Sequence, residues 1–101
     1  MTPDVFIRVR FKTAGEGGRR GDIIIRGGIL YGCPLFIEGE AFDCRLLVTN
    51  QTLVLGETYE VPVKFLYPDL ALPKVSIGKV VTLWEGKDIA SGEISRVPKI
   101  P

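Results

Sequence analysis

The sequence predicts an all-β protein, a barrel or a sandwich, and three observations point there. Apolar side chains recur every second residue, the runs that carry them are short and number about six, and glycine or proline turns separate them. No stretch carries the 3.6-residue apolar period of a helix of useful length. Low-complexity tracts and internal repeats are absent.

Element by element, Val5, Ile7, Val9 and Phe11 alternate with Phe6, Arg8, Arg10 and Lys12, which is a half-buried strand with three cations on its outer face. Residues 14–18, Ala-Gly-Glu-Gly-Gly, break it with a turn or bulge. Asp22 to Arg26 is a short β-branched run, readable as a strand or as an extended crossing segment, closed by Gly27-Gly28. Leu35 to Glu38 and Phe42 to Thr49 read as strands, and Asn50-Gln51-Thr52 reads as a polar break. In the next strand Tyr59, Val61, Val63 and Phe65 share one face, while Thr58, Glu60, Pro62 and Lys64 share the other. Pro62 lacks an N–H, so it belongs at an edge, at a bulge or opposite a gap in the pairing. Residues 67–76 read as a loop that packs apolar side chains. Val80 to Trp84 and Ile89 to Val97 form a last pair around Glu85-Gly86-Lys87-Asp88, a hairpin signal.

Length and composition bound the function. A chain of 101 residues suits one domain, with 46% hydrophobic and 25% charged residues and a net charge of +1, which excludes a disordered or collagen-like chain. There is no histidine, so the commonest general base and metal ligand are missing and the usual nucleophilic triads have no base. No catalytic residue and no metal site is expected. The carboxylates Glu38, Glu40 and Asp43 lie close in sequence, yet they lack the ordered ligand spacing of a calcium loop and read as solvent-side acids. No phosphate-binding loop of the Gly-x-x-x-x-Gly-Lys-Ser/Thr type occurs, so neither a nucleotide nor another cofactor is expected. Cys33 and Cys44 could form one bridge but match no zinc or redox spacing, and two buried reduced thiols are the favoured reading. The amino terminus lacks the unbroken apolar run of a signal peptide, and the uncharged residues 27–37 are too few to cross a bilayer. A cytoplasmic location and no membrane contact follow as expectations.

Charge is unevenly spread. Residues 1–26 hold six basic and three acidic side chains, residues 27–73 two and six, and residues 74–101 five and three. The basic candidates are Arg8, Arg10 and Lys12 with the adjoining glycine-rich turn of Arg19 and Arg20, whose amides and guanidinium groups suit a phosphate. The acidic candidates are Glu38, Glu40 and Asp43. Trp84, beside the last turn, is a candidate anchor for a protein partner.

Four segments, taken in order, carry a resemblance: Glu16-Gly17-Gly18-Arg19, the Pro34 to Ile37 strand, Leu55-Gly56-Glu57 leading into Tyr59 to Pro68, and Gly78 to Gly86 ending in Trp-Glu-Gly. Together, over about residues 5–97, they resemble the third domain of elongation factor Tu. The resemblance implies a closed six-stranded antiparallel β-barrel standing alone, without the GTPase domain on which the family domain packs. It also implies that Arg19, Arg20 and Gly86 occupy the positions of the turn and hairpin that touch the tRNA backbone, with Glu38-Gly39-Glu40 standing where the family has a threonine-rich tip. The leading functional expectation is a non-catalytic barrel that binds a protein through its acidic middle, as a regulator or an immunity-type inhibitor. The alternatives are a weakly RNA-binding module and a structural subunit that docks through Pro62, Leu66, Leu70 and Leu72.

Overall fold

In a computed structural model, which describes residues 2–28 and 30–98, eight strands alternate with short turns. They are β1 (Val5–Phe11), β2 (Ile23–Ile25), β3 (Tyr31–Ile37), β4 (Glu40–Leu46), β5 (Gln51–Leu53), β6 (Thr58–Phe65), β7 (Val80–Trp84) and β8 (Asp88–Arg96). One four-residue helix, α1 (Pro68–Ala71), and single 3-10 turns at Ala14–Glu16 and Leu72–Lys74 complete the described chain.

Six of the strands close into an antiparallel barrel in the order β1-β6-β4-β3-β7-β8 and back to β1. The choice between barrel and sandwich is thereby resolved. Closure gives every barrel strand a neighbour on both sides, though the β3–β7 and β4–β6 seams are each paired over only three residues. The remaining two, β2 and β5, pair with each other as a separate antiparallel ribbon. Several boundaries differ from expectation: β4 runs Glu40–Leu46 rather than Phe42 to Thr49, β8 runs Asp88–Arg96 rather than Ile89 to Val97, and the loop expected over residues 67–76 holds α1 and a 3-10 turn. The polar residues Gln51 and Thr52 belong to β5 rather than to a break, because Gln51 and Thr52 pair with Ile25 and Ile24 while Leu53 turns inward. β3 begins at Tyr31, four residues before the predicted start, because its whole length pairs with β4.

The period of two determines the core. Val5, Ile7, Val9 and Phe11 of β1, Leu35 and Ile37 of β3, Val61, Val63 and Phe65 of β6, and Val81 and Leu83 of β7 all point inward and are buried. Ile23, Ile25 and Leu53 of the β2–β5 ribbon join the same buried cluster. No polar or charged residue is buried among the described residues. Hydrophobic burial on this scale is the main favourable term in folding.

Irregularities in β8 aim side chains. Leu83 faces Ala90 but Trp84 faces Asp88, so Ile89 is an extra residue and both Ile89 and Ala90 turn inward. That bulge leaves Trp84 and Asp88 outward. A second shift, between Phe6↔Arg96 and Ile7↔Ile94, sets the Arg96 guanidinium 3.9 Å over the Phe6 ring. Pro62 stands opposite a gap: its carbonyl accepts from Leu47 N–H at 2.8 Å, but it has no N–H to return, and the β4–β6 register stops at Leu46↔Val63.

Candidate functional site

The basic row is where its periodicity predicts, on the outer face of β1, but most of its charge is already matched. Arg8 lies 4.0 Å from Glu60, its cross-strand neighbour, and Arg96 lies 3.6 Å from the same carboxylate. Arg10 donates to both oxygens of Glu16, at 3.0 and 3.2 Å. Glu16 also accepts from Thr13 N–H at 2.9 Å while Thr13 Oγ1 accepts from Glu16 N–H, a reciprocal cap on the Ala14–Glu16 turn. The Thr13 amide first, and Arg10 second, hold the Glu16 carboxyl below its ordinary value of 4.5.

Arg19 is brought to Glu85, the residue before Gly86, although 66 positions separate the two. Arg19 Nη1 donates to Glu85 at 2.6 and 2.8 Å, and its Nε donates to the Gly21 carbonyl at 3.1 Å. Gly86 occupies the tip of the β7–β8 turn at φ 72°, in the left-handed region that glycine adopts freely. Of the five basic candidates, Lys12 and Arg20 have no carboxylate partner among the described residues.

The acidic candidates divide. Glu38 and Gly39 form the two-residue turn between β3 and β4, with φ of 51° and 78°. Glu38 is paired with Lys79, and Glu40 lies 3.6 Å from Lys74. Asp43 has no cation partner among the described residues and stands opposite Pro34 on the outer face of β4. Among the described residues, no three Cys, Asp or Glu side chains converge as a metal ion needs.

Trp84 does not stand alone. It is 39% exposed and packs at a tilt on Phe36 of β3, with ring centroids 6.3 Å apart. Phe36 is flanked in register by Ala41 of β4 and Thr82 of β7. Val80, 70% exposed, shares the outer face of β7 with Thr82 and Trp84, and a shallow depression there is bounded by Phe36, Glu38, Val80, Thr82 and Asp88. Beyond Ala41 lies a second depression, between Phe42, Asp43, Tyr67 and Leu70, in which Tyr67 and Leu70 are exposed. The outer face of β3 and β7 thus carries Val80, Phe36 and Trp84 around Thr82, and across Ala41 of β4 the exposed Tyr67 and Leu70 lie beside Asp43. Leu66 and Leu70 are exposed as the docking expectation requires, whereas Pro62 and Leu72 are only half-exposed.

Sequence reasoning found Trp84 and missed Phe36 and Val80. The signal was parity: Pro34, Phe36 and Glu38 share a face once Cys33, Leu35 and Ile37 are assigned to the core. Behind this face lie the two thiols. Cys33 and Cys44 are cross-strand partners, free and buried, and Cys44 Sγ donates to the Cys33 carbonyl at 3.2 Å. Contact with Cys33 and burial raise the Cys44 thiol far above the ordinary value, so it stays protonated. An exposed aromatic and aliphatic surface of this kind can receive a partner's apolar side chains. Among the described residues no helix is long and apolar enough to cross a membrane. No protein-family model matches the chain, and no curated protein matches it.

Proposed function

We propose that this chain is a non-catalytic protein-binding barrel, a regulator or immunity-type inhibitor related to the third domain of elongation factor Tu, and that it works in the cytoplasm. The observation that carries the proposal is the exposed Val80–Phe36–Trp84 set on the outer face of β3 and β7. Aromatic and aliphatic side chains held on rigid strands are the usual anchors of a protein interface, with Trp the most enriched. The closed six-stranded antiparallel barrel supports the relationship to the translation-factor domain, since it is the architecture the resemblance implies. Two free thiols agree with a reducing compartment.

The RNA reading has less support. Arg8, Arg10 and Arg19 are engaged by Glu60, Glu16 and Glu85, so a phosphate must compete with a carboxylate at each. Co-purification from native cells tests the proposal. The wild-type chain is expected to retain a protein that Trp84→Ala or Val80→Glu releases, while circular dichroism shows both variants folded. Retention of RNA alone, lost with Arg19→Ala and Arg20→Ala, overturns it in favour of the RNA module.

A further inference from the structure

We infer that the open edge of β2 docks a second copy of this chain, the two β2 strands pairing antiparallel about a two-fold axis at Ile24.

Among the described residues β2 pairs with β5 alone, so its other edge has no strand beside it. Amide direction shows which groups lie on that edge. Leu55 N–H donates to the Asp22 side chain and Gly27 N–H to the Asn50 side chain, both across the ribbon, while Val54 N–H turns the other way to the Tyr59 hydroxyl. Successive amides of a strand alternate sides, so Ile23 and Ile25 direct their main-chain groups at β5, and Asp22, Ile24 and Arg26 direct theirs at the open edge. An open groove borders Ile24, Ile25 and Arg26, which gives another main chain access to them.

The order of residues along the edge selects the occupant. Asp22-Ile23-Ile24-Ile25-Arg26 is its own charge complement when reversed. A two-fold axis at Ile24 sets Asp22 of each copy opposite Arg26 of the other and Ile24 opposite itself, with main-chain hydrogen bonds exchanged at each of these pairs. Neither Asp22 nor Arg26 has an ion-pair partner among the described residues, and both are exposed. Ile24, 59% exposed, shares their outer face, whereas Ile23 and Ile25 are buried. Cross-strand contact would therefore join opposite charges at both ends and cover an exposed isoleucine in the middle. Parallel pairing would instead set Asp22 against Asp22 and Arg26 against Arg26. A slip of one residue would set groups that face the edge against groups that face β5. So short an edge falls well below the about 20 to 30 residues a side of a standard interface, so the dimer is weak and forms at high chain concentration.

Sedimentation equilibrium up to about 1 mM chain tests it. Arg26→Glu and Asp22→Lys are each expected to weaken dimerisation about tenfold, because each sets like charges opposite one another at both ends. An equimolar mixture of the two variants is expected to dimerise within about threefold of wild type, since each introduced lysine then faces an introduced glutamate and Arg26 of one chain faces Asp22 of the other. Circular dichroism checks that both variants fold. Asp22→Lys removes the acceptor of the Leu55 amide, so Arg26→Glu decides by itself if that variant does not fold. In the 15N-labelled wild-type chain, hydrogen exchange at the Asp22, Ile24 and Arg26 amides should slow as concentration rises. A chain that stays monomeric at about 1 mM overturns the inference, whatever other protein the edge captures. A dimer that Arg26→Glu leaves intact, or one that protects only the Phe36–Trp84 face, overturns it too.

Discussion

Gly92 lies opposite Val9 where β8 crosses β1, and a β-carbon there would collide with the Arg8 carbonyl. Main chain rather than a movable side chain fills that space, so relief requires the two strands to part. Gly92→Ala is expected to cost about 3 kcal/mol in denaturant unfolding. Loss of less than about 1 kcal/mol would mean that the strands separate freely. Glu16 gives a residue-scale prediction in pH. Its folded value lies below the ordinary 4.5, so its contribution to stability is complete above that pH and is lost as pH falls through the lower folded value. Arg10→Ala should move the Glu16 titration, followed by carboxyl NMR, upward while leaving it under 4.5, because the Thr13 amide is the larger cause. A titration unmoved by Arg10→Ala would show that the guanidinium contributes nothing.

At the scale of elements, the β3–β4 hairpin contains a local conflict. Its two-residue turn requires left-handed backbone at Glu38, a conformation that asparagine or glycine adopts at lower cost. Glu38→Asn is therefore expected to raise stability by about 0.5 to 1 kcal/mol despite losing the exposed Lys79 pair, as read from the urea midpoint. A fall in the midpoint would mean that the pair outweighs the strain. The β2–β5 ribbon makes the complementary case. Leu53 is fully buried in the common core while Ile24, on the same ribbon, is 59% exposed. Leu53→Ala should cost about 2 to 5 kcal/mol, and Ile24→Thr less than about 0.5. Equal effects would indicate that the ribbon is not packed on the barrel. These elements were unequally legible. The strict alternations of β1 and β6 could be read residue by residue, whereas β5 was hidden because two of its three residues, Gln51 and Thr52, are polar and exposed. Pairing with β2, not composition, makes that segment a strand.

For the whole molecule, stability rests on one apolar core with its charges on the surface. Apart from Asp4, whose side chain is only 12% exposed in its pair with Lys64, the ion-paired side chains are exposed or half-exposed, so salt should move the thermal midpoint by no more than about 3 °C between about 0.1 and 1 M sodium chloride. A larger fall would assign the ion pairs a structural role that their exposure argues against. The same pairing changes the functional reading. In sequence, Arg8, Arg10 and Arg19 looked like a phosphate-binding patch and Glu38 and Glu40 looked like an acidic one. The folded chain sets each against an opposite charge, Arg10 through the local Ala14–Glu16 turn and Arg19 and Glu38 across 66 and 41 residues of sequence. Outside these pairs, among the described residues, stand the carboxylates of Asp22, Asp43, Glu57, Asp69, Asp88 and Glu93, spread over the surface.

By itself the sequence determined which residues of β1 and β6 face inward, since a strand's period of two assigns each alternation to core or solvent without reference to any partner, whereas the adjacent inward Ile89 and Ala90 depend on the β8 bulge. It also determined the absence of histidine chemistry. Only the tertiary structure decided that the strands close into a barrel, that β2 and β5 form a ribbon apart, and which surface charges remain unpaired. Those outcomes depend on strand neighbours far apart in the chain, and no local pattern encodes the distance between Arg19 and Glu85 or between Trp84 and Phe36.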